Sequence, residues 1–282
     1  MEIKNVGVVG AGTMGSGIAH VFAKSGYIVV LVDVEERFLN RGMKTIRKNL
    51  EREVAKEKIT AETRDAAIAR ITPTVSLMQL AACDFIIEAA SERFETKSEL
   101  FKDLDRLCRS EVMLASNTSS ISITRLAAVT GRPDKVIGMH FFNPVPVMKL
   151  VEVIRGLATS DETFATVQVL AERLEKTPVE VNDAPGFVSN RVLMPLLNEA
   201  MYTVMEGVAT PEAVDEVFKL GMAHPMGPLT LADFIGLDVC LDIMRVMQAG
   251  LGDPKYRPCP LLIKMVDAGW LGRKSGRGFY QY

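Results

Sequence analysis

The stretch GAGTMGSG at residues 10–17 restricts what this chain can fold into more than any other. Residues 3–9 (IKNVGVV) read as a short strand buried on both faces, and an apolar-periodic helix runs on through IAHVFAKSG to a stop at Gly26. A second buried strand, YIVVLVD, then ends at Asp33. Strand, GxGxxG turn, helix, strand and acid within about 30 residues is the layout of a βαβ unit built for a nicotinamide or flavin dinucleotide. Gly10 permits the tight turn, Gly12 lets the backbone approach a pyrophosphate, and Gly15 lets helix and strand pack closely. Thr13 and Met14 stand at the helix N-terminus, where free N–H groups and the positive dipole end meet phosphate. The Asp33 carboxylate is placed to accept from the 2′- and 3′-hydroxyls of an adenosine ribose and would repel a 2′-phosphate, so NAD is favoured over NADP. Arg37, four residues on, works against that preference.

The rest of the chain continues this plan with one departure. Residues 35–70 hold a long charged amphipathic helix and a second helix opening near Thr60, both inserted before the third strand. The long helix carries Lys44, Arg47, Lys48, Arg52, Lys56 and Lys58 interleaved with Glu51, Glu53 and Glu57. That is either a solvated face with i,i+4 ion pairs or a row of cations for an anionic substrate handle. DFIIEAASE (84–92), MLASNTSSISI (113–123), VIGMHFF, LVEVI and PVEVN alternate with helical or turn segments, which extends a parallel sheet. Pro185-Gly186 marks a boundary, giving domains of 1–183 and 184–282. The second reads as all helical. Its Met194, Leu197, Met201, Val204 and Met205 recur at helical spacing, which fits either a dimer interface or a plain core.

Composition excludes several classes. Thirty-three basic against thirty-five acidic residues give a net charge of −2, with no global pull toward nucleic acid or membrane. The four cysteines are scattered, with no CxxC and no histidine at ligand spacing, so they read as reduced thiols with no metal site. With no secretory leader pattern and no membrane-length apolar run, a cytoplasmic protein is expected.

MHFFNPVPVMKLVEVI, residues 139–154, adds the chemistry. His140 follows one β-like run and Glu152 lies inside a second, with Pro144 and Pro146 breaking the connector. Two strands joined this way can fold back and bring imidazole and carboxylate together, the pairing that fixes a tautomer for proton transfer near neutral pH. A structural histidine with a surface glutamate nearby is the other reading.

In chain order the motifs are GAGTMGSG, EAASE, SNTSS, HFFNPVPVMKLVEVI, PGFVSNR and GWLGRKSGRGFYQY. Together they resemble the short-chain L-3-hydroxyacyl-CoA dehydrogenase family over the whole chain, within it the bacterial 3-hydroxybutyryl-CoA dehydrogenases. The resemblance implies a Rossmann-type doubly wound α/β sheet with an inserted helical hairpin, followed by an all-α dimerisation domain. It implies His140 as acid/base, Glu152 as its orienting partner, Ser119 as donor to the substrate C3 oxygen, and Asn190 as a positioning amide reaching the cleft. Cofactor contacts carry over to Gly10, Gly12, Thr13, Met14, Gly15, Asp33, Glu92, Lys97, Ser119 and Asn143, with Lys274 a more distant match. Glu92 and Lys97 read equally as a solvent-facing helix-start pair, and the serines of SNTSS as an N-cap, at Ser119 or Ser120, for the helix that follows. Lys56 is the match for a basic contact to coenzyme A. The implied reaction is NAD(H)-dependent interconversion of acetoacetyl-CoA and (S)-3-hydroxybutyryl-CoA in butyrate or fatty-acid metabolism, by a homodimer. The alternatives are a dehydrogenase of a non-CoA hydroxy acid such as L-gulonate and a non-catalytic NAD-binding structural protein. A 6-phosphogluconate-type enzyme would use a lysine base, which the His140 block fits poorly.

Overall fold

β1 (Asn5–Val9) and β2 (Ile28–Val32) are joined by α1 (Thr13–Lys24) in the computed structural model, which describes residues 2–282. Val6, Val8, Val29 and Leu31 are wholly buried, as a parallel pair covered on both faces requires. The chain then leaves the sheet for α2 (Glu36–Ala55) and α3 (Ala61–Ala69) before β3 (Ile71–Thr74). Leu39, Ile46 and Leu50 of α2 are buried in the same core as Phe22 of α1, so the insertion packs on the sheet's covering helix. Thr60 caps α3 by accepting from the Thr63 N–H at 3.2 Å.

β4 (Phe85–Glu88), α4 (Phe94–Leu107), β5 (Met113–Ser116), α5 (Ile123–Ala127), β6 (Val136–Phe141), β7 (Leu150–Arg155), α6 (Asp161–Arg173) and β8 (Thr177–Asn182) complete the unit. The eight strands lie in the order β3-β2-β1-β4-β5-β6-β7-β8. Neighbours are parallel throughout except β6 and β7, which are antiparallel. The reversal follows from the sequence: residues 142–149 are too short for a crossover helix, so β7 returns beside β6. The carboxyl ends of β1 and β4, on either side of the point where strand order reverses, are where such sheets take their ligands.

The chain divides into two compact units, Met1–Asp183 and Ala184–Tyr282. The second consists of α7 (Ser189–Met205), α8 (Pro211–Gly221), α9 (Pro228–Ile235), α10 (Leu237–Leu251) and α11 (Pro260–Asp267). Met194, Leu197 and Met201 lie in this unit's own core with Leu229, Leu241 and Met244. Of the two readings of that stripe, these three residues take the plain core: α9, α10 and α11 pack against α7. Val204 is half-buried against the same core, and Met205 alone of the five is exposed.

Candidate active site

The glycine-rich loop shows which of its residues serve the fold and which leave room for a ligand. Gly10 has φ +102°, a left-handed conformation, and a Cβ there would lie 2.5 Å from the Ala89 carbonyl oxygen. A Cβ on Gly15 would lie 1.7 Å from the Gly10 carbonyl oxygen. Gly12 differs: a Cβ there would meet no protein atom within 4 Å. Packing within the protein does not require a glycine at that point, and the open space leaves room for a pyrophosphate over the backbone. No side chain caps α1, whose first residues are Thr13 and Met14, so its leading amides are placed where a phosphate could accept from them. The adjoining cavity, about 790 Å³, is lined by Gly10, Gly12, Asp33, Phe38, Ala90 and Leu100 among others. Asp33 Oδ2 accepts from the Ala11 N–H at 2.6 Å and Oδ1 from the Val34 N–H at 2.7 Å. A carboxylate has about four acceptor sites, so two remain for ribose hydroxyls.

The antiparallel register sets His140 directly opposite Glu152. His140 Nδ1 is 2.8 Å from Glu152 Oε2, and its Nε2 is 3.0 Å from Ser119 Oγ. Both members of the pair are buried. A carboxylate on Nδ1 leaves the Nε2 lone pair or proton toward the serine hydroxyl. The Asn117 side-chain oxygen accepts from the Phe141 N–H at 2.8 Å, tying the strand end beside His140 to the SNTSS loop. Lys176 anchors the connector between the two strands, donating to the Val145 and Met148 carbonyl oxygens at 2.6 and 2.8 Å. Burial first, then Lys24 and Lys149, pull the Lys176 ammonium down to about 8.

Glu92 holds the SNTSS loop. Its Oε1 accepts from Thr118 Oγ1 at 2.5 Å, from the Ser119 and Ser120 N–H groups at 2.8 and 3.1 Å, and from Ser120 Oγ at 3.0 Å. Burial would raise this carboxyl, but Lys97 and those donors outweigh it and keep the group below its ordinary value. Lys97 is not the solvent-facing partner that a helix-start pair implies. It is 1 % exposed and sits 2.6 Å from Glu88 and 3.3 Å from Glu92. Nor does Ser119 or Ser120 cap α5; Ser122 does, accepting from the Arg125 N–H at 3.2 Å. Glu88, Ser116, Asn117 and Lys176 were not anticipated from the sequence. Glu88 offered one signal, an acid closing an apolar strand run where a solvated side chain is out of place.

Asn143 is exposed in the connector after β6. Lys44, Arg47, Lys48, Arg52, Lys56 and Lys58 are all exposed, and among the described residues none of them pairs with a carboxylate within 4.0 Å. The i,i+4 pairing expected along α2 is therefore absent, and Glu53 turns inward to His20 and Lys24 instead. In the C-terminal unit Asn190 is buried on α7, and Lys274 pairs with Asp238 at 2.5 Å. All four cysteines are buried free thiols. Among the described residues no group of three or more histidine, cysteine, aspartate or glutamate side chains is placed to hold a metal, and no helix is long and apolar enough to cross a membrane.

Comparison with known proteins gives the family. Residues 5–184 match the family model of the 3-hydroxyacyl-CoA dehydrogenase NAD-binding domain, and residues 186–282 that of the 3-hydroxyacyl-CoA dehydrogenase C-terminal domain. The chain is 61% identical to the probable 3-hydroxybutyryl-CoA dehydrogenase of Bacillus subtilis, over 100% of this chain and 98% of that protein. It is 55% identical to the 3-hydroxybutyryl-CoA dehydrogenase of Bradyrhizobium diazoefficiens, over 99% of this chain and 96% of the relative. The crystal structure of (S)-3-hydroxybutyryl-CoA dehydrogenase from Ralstonia eutropha superposes with a TM-score of 0.97 at 52% identity, covering 100% of this chain and 99% of that one.

Proposed function

Because the chain belongs to the 3-hydroxyacyl-CoA dehydrogenase family and carries its NAD-binding domain, we propose that it is a 3-hydroxybutyryl-CoA dehydrogenase in which His140 moves the proton. The observation that carries this reading is the line Glu152, His140, Ser119, with contacts of 2.8 and 3.0 Å on the two ring nitrogens. NADH, when bound, supplies the hydride that reduces C3 of acetoacetyl-CoA. His140 gives its Nε2 proton to the C3 oxygen, and in the oxidation direction takes it from the hydroxyl. Ser119 donates to the same oxygen as negative charge grows on it. Glu152 holds the Nδ1 proton, which fixes the tautomer and stabilises the imidazolium.

The exposed cations of α2 and of the turn after it, Lys56 among them, suit the phosphates of coenzyme A, because among the described residues no carboxylate competes for them. The N-terminal unit acts as the cofactor domain, and the C-terminal unit supplies Asn190 and the homodimer contact; Val217, Leu220 and Met222 there are exposed apolar side chains that a second copy would cover. Four buried free thiols suit a reducing, cytoplasmic setting.

The test is NADH oxidation with acetoacetyl-CoA, run beside NADPH and beside acetoacetate without coenzyme A. Turnover with NADH and the thioester only is the expected result. Silence with the thioester while NADH still binds would sink the reading in favour of a non-CoA hydroxy acid or a non-catalytic role.

A further inference from the structure

Glu88, the last residue of β4, is wholly buried, and the proton transfer proposed above does not touch it. Its carboxylate is enclosed by three donors. Oε1 accepts from Lys97 Nζ and from the Ala90 N–H, each at 2.6 Å, and Oε2 accepts from Ser116 Oγ at 2.6 Å. Burying an ammonium beside a carboxylate is a poor route to stability, since an apolar pair of similar volume commonly does as well. The arrangement is better explained by what it fixes in place.

Two routes lead from Glu88 to the SNTSS loop. The first runs through Lys97. An ammonium has three donors. Those of Lys97 face Glu88 Oε1 at 2.6 Å, Glu92 Oε2 at 3.3 Å and the Ala90 carbonyl oxygen at 3.4 Å. Glu88 thus sets where Lys97 lies, Lys97 sets where the Glu92 carboxylate lies, and Glu92 grips the Ser119 backbone at 2.8 Å. The second route runs through Ser116, whose Oγ donates to Glu88 and accepts from the Thr118 N–H at 3.2 Å. The Glu88 backbone adds a third tie, accepting from the Asn117 N–H at 2.8 Å. All of these converge on the loop that carries Ser119 Oγ to within 3.0 Å of His140 Nε2.

We infer that Glu88 is a positioning residue for the reaction: through Lys97–Glu92 and through Ser116 it holds Ser119 at its working distance from His140. Its side chain is wholly enclosed by protein, so it acts through these neighbours. The inference rests on the assignment of His140 and Ser119 made above. A side chain that only completes the fold would lower stability without changing the chemical step. A positioning residue changes the chemical step far more than it changes cofactor binding, because misplacement by an ångström can lower a rate about 10²-fold.

The experiment compares wild type, Glu88→Gln and Ser116→Ala as full chains. Each is assayed with acetoacetyl-CoA and NADH, and again with NADH deuterated at the transferred position. NADH affinity is read separately by fluorescence. Glu88→Gln keeps the shape but removes the charge that orients Lys97, so kcat is expected to fall about 10- to 100-fold. The deuterium effect on kcat should rise, as hydride transfer becomes the slow step, with NADH affinity changed less than about three-fold. Ser116→Ala should move the same quantities in the same direction by less. If Glu88→Gln does not fold, Ser116→Ala decides alone. Wild-type kcat and isotope effect in a folded variant would overturn the inference, as would a parallel loss of NADH affinity and kcat at an unchanged isotope effect. Silence of the wild type with acetoacetyl-CoA would instead overturn the functional assignment, and this inference with it.

Discussion

The N-terminal unit contains two histidine–glutamate contacts, and they are built for opposite ends. His140 lies on a strand, its Nδ1 2.8 Å from Glu152 and its Nε2 3.0 Å from a serine hydroxyl. His20 lies on α1, its Nε2 3.0 Å from Glu53 of α2. Despite that short distance, neither His20 ring nitrogen has a hydrogen-bond partner. The His20 side chain is wholly enclosed, and Glu53 is shared with Lys24 at 3.1 Å. A carboxylate beside an imidazole is therefore not a sign of proton chemistry. The outlet is: one pair has a polar group on the far nitrogen, and the other ends in packing between two helices.

The largest expected effect breaks the comparison at its centre. Removing the imidazole in His140→Asn should lower kcat by about 10²–10⁴-fold, the usual contribution of a positioned acid/base. His20→Asn should leave kcat within a few-fold and lower the melting temperature instead. Steady-state kinetics and thermal melts on both would settle it, and equal losses of kcat would erase the distinction.

The carboxylates sharpen it next. Glu152→Gln should lower kcat with little change in NADH affinity. Glu53→Gln should act on stability, in a direction set by its ionisation. Burial pushes the Glu53 carboxyl up, but His20 and Lys24 pull it further down, so it ends below its ordinary value of 4.5. A depressed carboxylate stabilises the fold above its unfolded value, and that gain is lost as pH falls through the folded one. The stability gap between wild type and Glu53→Gln should be full at neutral pH and close well below pH 4.5, measured by denaturant titration. A gap that stayed constant through the acid range would mean that packing, not charge, explains the contact.

The smallest effect concerns Lys176, which steadies the connector of the working pair. Its folded value of about 8 lies below the ordinary 10.5. Between those values the unfolded chain holds the proton more firmly, so stability attributable to Lys176 rises with pH across the window. Below it the penalty of burying the charge is fully in force. Wild type should therefore gain on Lys176→Met between pH 8 and pH 10.5. A flat difference would place the ammonium in water.

The sequence made the sheet legible where chemistry is local. Gly10, Gly12 and Gly15 with Asp33 defined the first βαβ unit because Gly10 and Gly15 stand where a Cβ would clash with backbone, while Gly12 leaves open space over the turn. The proximity of His140 and Glu152 was legible because the connector is too short for anything but a return strand. What escaped was long-range. Glu88, Lys97 and Glu92 are nine or fewer residues apart, yet their partners Ser116, Thr118 and Ser119 come from the next strand's end. A buried charge looks like a solvated one until the neighbouring strand is placed beside it. The apolar stripe of α7 stayed open between core and interface for a similar reason: periodicity shows that a face is covered without showing what covers it, and here α9, α10 and α11 cover it.

The pairing of β6 with β7 has one more consequence. Every residue of β6 is buried, and Gly138, Met139, His140 and Phe141 face Ile154, Val153, Glu152 and Val151 in an unbroken ladder. Strands in the middle of a sheet open only with the whole domain, whereas loops open alone. The imidazole and its carboxylate thus belong to the slowest-exchanging layer of the molecule, and heat inactivation should track global melting with no earlier stage in which the fold survives and the pair has come apart.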